Sequence, residues 1–134
     1  MDTRAAAERF VGGWERAWAS HDVAALLELY AEGCVHRSMP FRAPHRGLAE
    51  LEAYLRWSFA AERVTDVRFS PPVVGADRVA VAEFRVLSEE DGAPGTLAGC
   101  VFVRFDEDGL AVESRDYWHT AEGHQEPAGR TFLL

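Results

Sequence analysis

Long apolar runs are missing from this chain of 134 residues: none approaches the roughly 20 needed to cross a bilayer. No basic-then-apolar leader opens it either. The two absences predict a cytoplasmic protein with no membrane partner. Clustered positive charge is also missing. Fourteen Lys/Arg residues against 22 Asp/Glu leave a formal net charge of −8, with no basic cluster longer than a pair of neighbours. That argues against nucleic acid as a partner. Cysteine is scarce: Cys34 and Cys100 follow no metal-like or redox spacing, so both are expected to be packing thiols. There is no Gly-rich phosphate loop, no nucleophile elbow and no Cys/His pair suited to nucleophilic catalysis. His119 and His124 lie five apart in a polar tail, without the helical geometry that makes paired ligands, so neither a metal nor a cofactor is expected. Repeats and low-complexity linkers are absent, and a 48% hydrophobic chain of this length suits one domain spanning 1–134.

What is present is a change of hydrophobic period partway along. Ala7, Phe10, Val11, Trp14 and Trp18 fall at helical spacing over residues 3–19, with Gly12-Gly13 implying a kink or a close backbone approach. Asp22 is placed to cap a second, shorter helix carrying Val23, Leu26, Leu27 and Tyr30, with Gly33 as its stop. A short strand over 34–39 runs into the turn-rich Pro40 to Gly47. A third helix over 48–62 carries Leu48, Leu51, Leu55 and Phe59, widened by Tyr54 and Trp57. From there the period is two. Strands are predicted at 64–70, 78–88, 96–105 and 110–119, separated by Pro71-Pro72, Asp91 to Gly95 and Asp106 to Gly109. Helices followed by antiparallel strands predict an α+β fold in which the sheet curls around the helices.

Strand alternation then assigns faces. In the last strand Val112, Ser114, Asp116 and Trp118 share one side, and Glu113, Arg115 and Tyr117 the other. Turning Asp116 inward makes Gly99, Val101, Val103 and Phe105 inner residues of the strand before. Ala80, Ala82, Phe84 and Val86 become the inner set of the strand before that. Glu83 and Arg85 are left outside to pair with Arg104, Glu113 or Arg115. The inner surface is therefore almost wholly apolar, as in a ligand cavity, with Asp116 as its main charged group. A buried carboxylate is costly unless partnered, protonated or functional. In the first strand Cys34, His36 and Ser38 share a face, so His36 and Ser38 can look into the same cavity. His21 and His45 are expected in solvent, His45 near the cavity mouth.

Three stretches carry a family resemblance: the Trp-containing helix and Leu-rich segment from Trp14 to Tyr30, the run Pro40-Phe41-Arg42-Ala43-Pro44-His45-Arg46-Gly47, and Phe105 through Trp118. Together they make the chain similar to the nuclear-transport-factor-2-like superfamily, in its SnoaL-like branch that includes polyketide cyclases. The resemblance implies a cone of curved, antiparallel-rich sheet wrapped around three helices, an internal apolar pocket, and commonly a homodimer formed through the outer sheet face. Ketosteroid isomerases of this superfamily carry a general-base Asp about nine residues before the Gly that opens the third helix, a position occupied here by Ser38. Limonene-epoxide hydrolases resemble Arg115-Asp116-Tyr117-Trp118, but their partner Arg-x-Asp has no match in Glu83-Phe84-Arg85-Val86. Polyketide cyclases use an acid/base Asp on a late strand with a nearby polar or His side chain, positions that Asp116 and His36 can take.

The expected function is binding of a small hydrophobic organic molecule, with cyclase- or isomerase-like proton transfer by Asp116 beside His36. Trp14, Trp18, Tyr30, Ser38, Trp57, Phe84, Val101 and Trp118 are expected to line the pocket. The alternative is a non-catalytic dimeric binding or interaction protein whose cavity is filled by its own tryptophans. Epoxide hydrolysis ranks below both. Val81, Leu87, Phe102 and Tyr117 supply the apolar area on the outer face that points to a homodimer, and Phe132-Leu133-Leu134 is expected to dock on the cavity or on the partner.

Overall fold

The computed structural model describes residues 1–129, so the expected docking of Phe132-Leu133-Leu134 lies outside the described residues. The first helix, α1 (Thr3–Ser20), opens on Asp2, whose carboxylate accepts the Ala5 amide at 2.7 Å, and closes on His21 in the left-handed conformation. Its buried stripe is Ala6, Ala7, Phe10, Trp14 and Ala17. Gly13 is where the next segment packs closely, since a β-carbon there would stand 2.9 Å from the Leu29 side chain. Asp22 does cap α2 (Val23–Leu27), accepting the Ala25 amide at 3.1 Å.

Here the expectation needs correcting. The second helix stops at Leu27 and Tyr30 begins strand β1 (Tyr30–Ser38). Leu-Glu-Leu-Tyr reads locally as helix, but the Ala111 amide donates to the Leu29 carbonyl at 2.9 Å and Tyr30 pairs with Ala111, so sheet pairing overrides local propensity. A two-residue strand, β2 (His45–Arg46), precedes α3 (Gly47–Ala60), whose inner stripe is Leu51, Leu55 and Phe59.

The remaining strands are β3 (Arg63–Phe69), the short β4 (Val73–Val74), β5 (Val79–Glu90), β6 (Ala93–Phe105) and β7 (Ala111–Glu122). They form one curved open sheet in the order β2-β1-β7-β6-β5-β3, with β4 paired to β5. Every pairing is antiparallel except β1 against β7, which is parallel. The β5–β6 turn is tighter than the predicted loop: Asp91 and Gly92, both at positive φ, close it alone, and Pro94 lies inside β6. At the β6–β7 turn the Asp106 carboxylate accepts the amides of Asp108 and Leu110.

The inner face follows the predicted parity except at the start of β7, where a register shift puts Ala111 rather than Val112 in the core. Ala80, Ala82, Phe84, Val101, Val103 and Phe105 are buried against Phe10, Trp14, Leu26, Leu51 and Leu55 in one core. The outer face holds a surprise in Arg85, which is only 2% exposed. Its guanidinium binds Asp66 on β3 at 2.9 Å and Glu126 beyond β7 at 3.2 Å, rather than the expected charges of β6 and β7. Glu113 instead pairs with Arg115 along its own strand, and Arg104 donates to the Asp77 carbonyl. Among the described residues no helix is long and apolar enough to cross a membrane.

Candidate functional site

The parallel pairing of β1 with β7 sets His36 beside Ser114 and Ser38 beside Asp116. All four turn to the inner face. His36 Nδ1 stands 2.7 Å from Ser114 Oγ, and His36 Nε2 stands 3.5 Å from Asp116 Oδ2. Asp116 thus has His36 as its neighbour across the β1–β7 seam. Behind this pair, Trp14 Nε1 donates to the Tyr30 hydroxyl at 3.1 Å, and Tyr30 hydrogen-bonds Ser114.

Donor inventories fix the direction of this chain. An indole N–H only donates, so the Tyr30 oxygen accepts from Trp14 and its own proton goes to Ser114. The Ser114 hydroxyl then donates to His36 Nδ1, which places the imidazole proton on Nε2, facing the Asp116 carboxylate. The hydrogen-bonded chain runs from a tryptophan on α1 to His36 on β1, whose Nε2 stands 3.5 Å from the Asp116 carboxylate.

Burial dominates the electrostatics. Desolvation pushes the Asp116 carboxyl up to about 7, and desolvation together with the nearby His45 pushes His36 down to about 4. Below neutrality the pair is thus a carboxylic acid beside a neutral imidazole. Above it, Asp116 is an anion 3.5 Å from Nε2.

These groups open on a cavity of about 360 Å³ between α1, α3 and the inner sheet face, a volume suited to a small organic molecule. Its wall includes all ten expected residues: Asp116, His36, Trp14, Trp18, Tyr30, Ser38, Trp57, Phe84, Val101 and Trp118. The tryptophans line the space rather than fill it. Trp57 stands at the rim, 70% exposed, whereas Trp14 is packed in the core. Trp118 Nε1 lies 3.3 Å from Ser38 Oγ, and Arg42 sits over the Trp118 ring at 5.3 Å.

Several wall residues escaped the sequence reading. Tyr54 reaches the cavity from the edge of the α3 stripe, and His45 stacks on its ring at 4.4 Å, so the expected solvent histidine is a wall support. His21 is likewise not free in solvent: its ring stacks on Phe59, and Nε2 lies 3.4 Å from Glu62. Glu62 also accepts from Trp18 Nε1 at 3.3 Å, and with Glu90 it borders the end of the cavity nearest the α3 C-terminus. A carboxylate just past a helix end carries no sequence signal of this kind. Arg42 belongs to the turn-rich run that carried the family resemblance, and a cation there is the signal that could have found it. Arg85, the arginine nearest in sequence to an epoxide-hydrolase pattern, faces away from the cavity. Among the described residues no three His, Cys, Asp or Glu side chains gather as metal ligands.

No curated protein matches the chain in sequence. Among solved structures, RV0760c from Mycobacterium tuberculosis superposes with a TM-score of 0.77 at 20% identity, covering 92% of this chain and 100% of that one. A putative isomerase from Bacillus subtilis gives 0.76 at 22% identity, covering 89% and 90%. RV0760c in complex with estradiol-17beta-hemisuccinate gives 0.72 at 20% identity, covering 87% and 98%. At these identities the likeness is one of fold. Residues 9–114, most of the chain, match the family described as SnoaL-like domain, and the protein belongs to that family.

Proposed function

We propose that the protein binds a small hydrophobic organic molecule in its cavity and moves a proton on it, with Asp116 as acid/base residue and His36 as its partner. The carrying observation is a carboxyl group raised to about 7 by burial inside a mostly apolar cavity, 3.5 Å from a neutral imidazole. A group poised near neutrality both accepts and returns a proton with little loss of driving force. The substrate class that suits it is a carbonyl compound with an acidic C–H beside the carbonyl, in a cyclase- or isomerase-like reaction. The family match and the steroid ester held by a structural neighbour support an apolar ligand of this size.

Asp116→Asn keeps the shape and removes the proton-transfer group. It should abolish turnover of the substrate, once a thermal-shift screen of hydrophobic carbonyl compounds has found one, and leave binding within a few fold. Full activity in this variant would overturn the catalytic role and favour a plain binding protein.

The same reading takes the protein as a homodimer through the outer sheet face, where Phe102 is 43% exposed and meets Tyr117 edge-on. Light scattering at micromolar concentration should return twice the 14.9 kDa chain mass; the mass of a single chain would refute it. Cys34 and Cys100 are free thiols, which fits action in a reducing compartment such as the cytoplasm.

A further inference from the structure

We infer that the ligand is an organic cation whose apolar body fills the cavity and whose basic amine sits against Glu62 and Glu90, at the end away from Asp116. The inference rests on the reading of the cavity as a ligand site with Asp116 at its reacting end, and it names the class of molecule that site admits.

The far end of the cavity is acidic and carries no cation of its own. Glu62 follows α3 directly, with its side chain 12% exposed, and Glu90 closes β5; both line the cavity. Trp18 Nε1 and His21 Nε2 approach Glu62 at 3.3 Å and 3.4 Å, and both meet the same oxygen, Oε2. Oε1 takes part in neither contact. His21 is no counter-ion, because burial lowers its pKa and leaves the ring neutral at neutral pH. Arg63, the next residue along the chain, turns outward to Glu89 with its side chain 79% exposed. Among the described residues the arginine that lines the cavity is Arg42, which stands over Trp118 and acts with Asp116 on Tyr54.

Three unfavourable influences therefore meet at Glu62. Burial pushes its carboxyl up, the Trp18 hydrogen bond offsets part of that rise, and the like charge of Glu90 adds to it. The C-terminus of α3 brings partial negative charge to the same place, and its last turn has no basic residue. An ammonium group reverses the sign of the last two influences and gives a nearly buried carboxylate the counter-charge it lacks. A hydroxyl would satisfy Oε1 and leave the charge uncompensated. Trp18, Phe59 and Phe69 line this end as well, aromatic surface of the kind that holds alkylammonium groups. The net charge of −8 draws cations toward the protein from solution.

Two lengths of backbone measure the ligand. Tyr54, within the electrostatic reach of Asp116, and Glu62 are eight residues apart along α3 and its cap, about 12 Å. Asp116 and Thr120, both in the cavity wall, are four residues apart on β7, about 13 Å of strand. An amine about 10 Å from an enolisable carbonyl reaches both ends. The class is a rigid aryl or polycyclic ketone that bears an aliphatic amine.

The test uses three 4-acetylbiphenyls that differ only at the 4′ position, which carries aminomethyl, hydroxymethyl or ethyl. Calorimetry gives each affinity for wild type, Glu62→Gln and Glu90→Gln, and NMR in D2O follows exchange of the acetyl hydrogens in wild type and Asp116→Asn. In wild type the aminomethyl compound should bind roughly 10- to 100-fold more tightly than the ethyl compound, by a margin that shrinks as salt is raised. The hydroxymethyl compound should stay near the ethyl one. Glu62→Gln should cut the amine-to-ethyl ratio roughly tenfold, and Glu90→Gln should cut it less. The comparison of compounds is made in wild type, so it decides the matter whether or not a variant folds. Equal affinity for the aminomethyl and ethyl compounds, an equal gain from hydroxymethyl, or a ratio unchanged in both folded variants would overturn the inference and leave the cavity as an apolar site. No saturable binding by any of the three would overturn both. An amine preference without exchange that depends on Asp116 would sink the role of Asp116 and keep the cation site.

Discussion

Replacing Asp116 by Asn should turn the pH dependence of stability into a measure of how strongly the cavity opposes charge. The carboxyl stands at about 7 in the folded protein against an ordinary 3.8, so between those values the native state holds a proton that the unfolded chain has released. The stabilisation from this raised group is complete below pH 4 and is lost as pH climbs through 7. At 1.36 kcal/mol per tenfold change in acidity, a move from 3.8 to about 7 corresponds to about 4 kcal/mol, of which about 3 kcal/mol falls between pH 4.5 and 8. The side chain is 20% exposed and faces the His36 Nε2 proton, which trims the expected figure to about 2 kcal/mol. His36 acts in the opposite sense. Its folded value of about 4 lies below its ordinary 6.5, so its contribution grows as pH rises through that window and masks part of the Asp116 effect in wild type. Comparing wild type with Asp116→Asn at each pH cancels what His36 does in both. Urea unfolding at pH 4.5, 6, 7 and 8 should show the variant within about 1 kcal/mol of wild type at the lowest pH and pulling ahead by about 2 kcal/mol at the highest. A gap that stays constant, or that closes with rising pH, would refute the desolvated carboxyl.

The chain from Trp14 to His36 predicts that 15N NMR of the His36 ring shows the Nε2–H tautomer at neutral pH. Ser114→Ala, which removes the partner 2.7 Å from Nδ1, should let the other tautomer appear, and an Nδ1–H ring in wild type would contradict the assigned direction. Gly99→Ala should be among the most damaging single changes in the sheet. Its β-carbon would land on the Tyr117 carbonyl oxygen and 2.6 Å from Trp118 Cα, both backbone atoms that cannot swing away, so a loss of about 3 kcal/mol or more is expected in denaturant unfolding.

The parts of this structure that were legible in the sequence are those governed by near neighbours. Alternation over β5, β6 and β7 assigned the inner face everywhere but at Val112, where the β6–β7 ladder shifts register, because a slip of one residue elsewhere would have buried Glu83, Arg104 and Glu113. The Asp106 to Gly109 turn and the Asp22 cap were likewise local. Tyr30 was misread because its segment is helical by composition, and only the Ala111 strand decides otherwise. Arg85 looked like a surface charge because nothing in the sequence brings Asp66 and Glu126 to it. The distance between His36 and Asp116 depends on the parallel register of β1 with β7, which alternation leaves free. Tyr54 was visible as part of an apolar stripe, but its place in the cavity wall appears only once α3 is seated on the sheet and His45 is seen to stack on it.

That parallel pairing also bears on when, during folding, the protein acquires its chemistry. The β5–β6 and β6–β7 hairpins join neighbours in sequence, whereas His36 and Ser114 are separated by 78 positions and the Trp118 contact to Ser38 by 80. Closing so long a loop carries an entropic penalty that hairpins avoid, and contacts of this separation slow the search for the native topology. Both contacts cross this one seam. A ribosome-bound chain lacking β7 has neither of them, and a chain whose hairpins have zipped before β1 has docked owns a sheet without a reaction centre. Binding competence is therefore a sign that folding has finished, because the first strand must meet the last before the site exists.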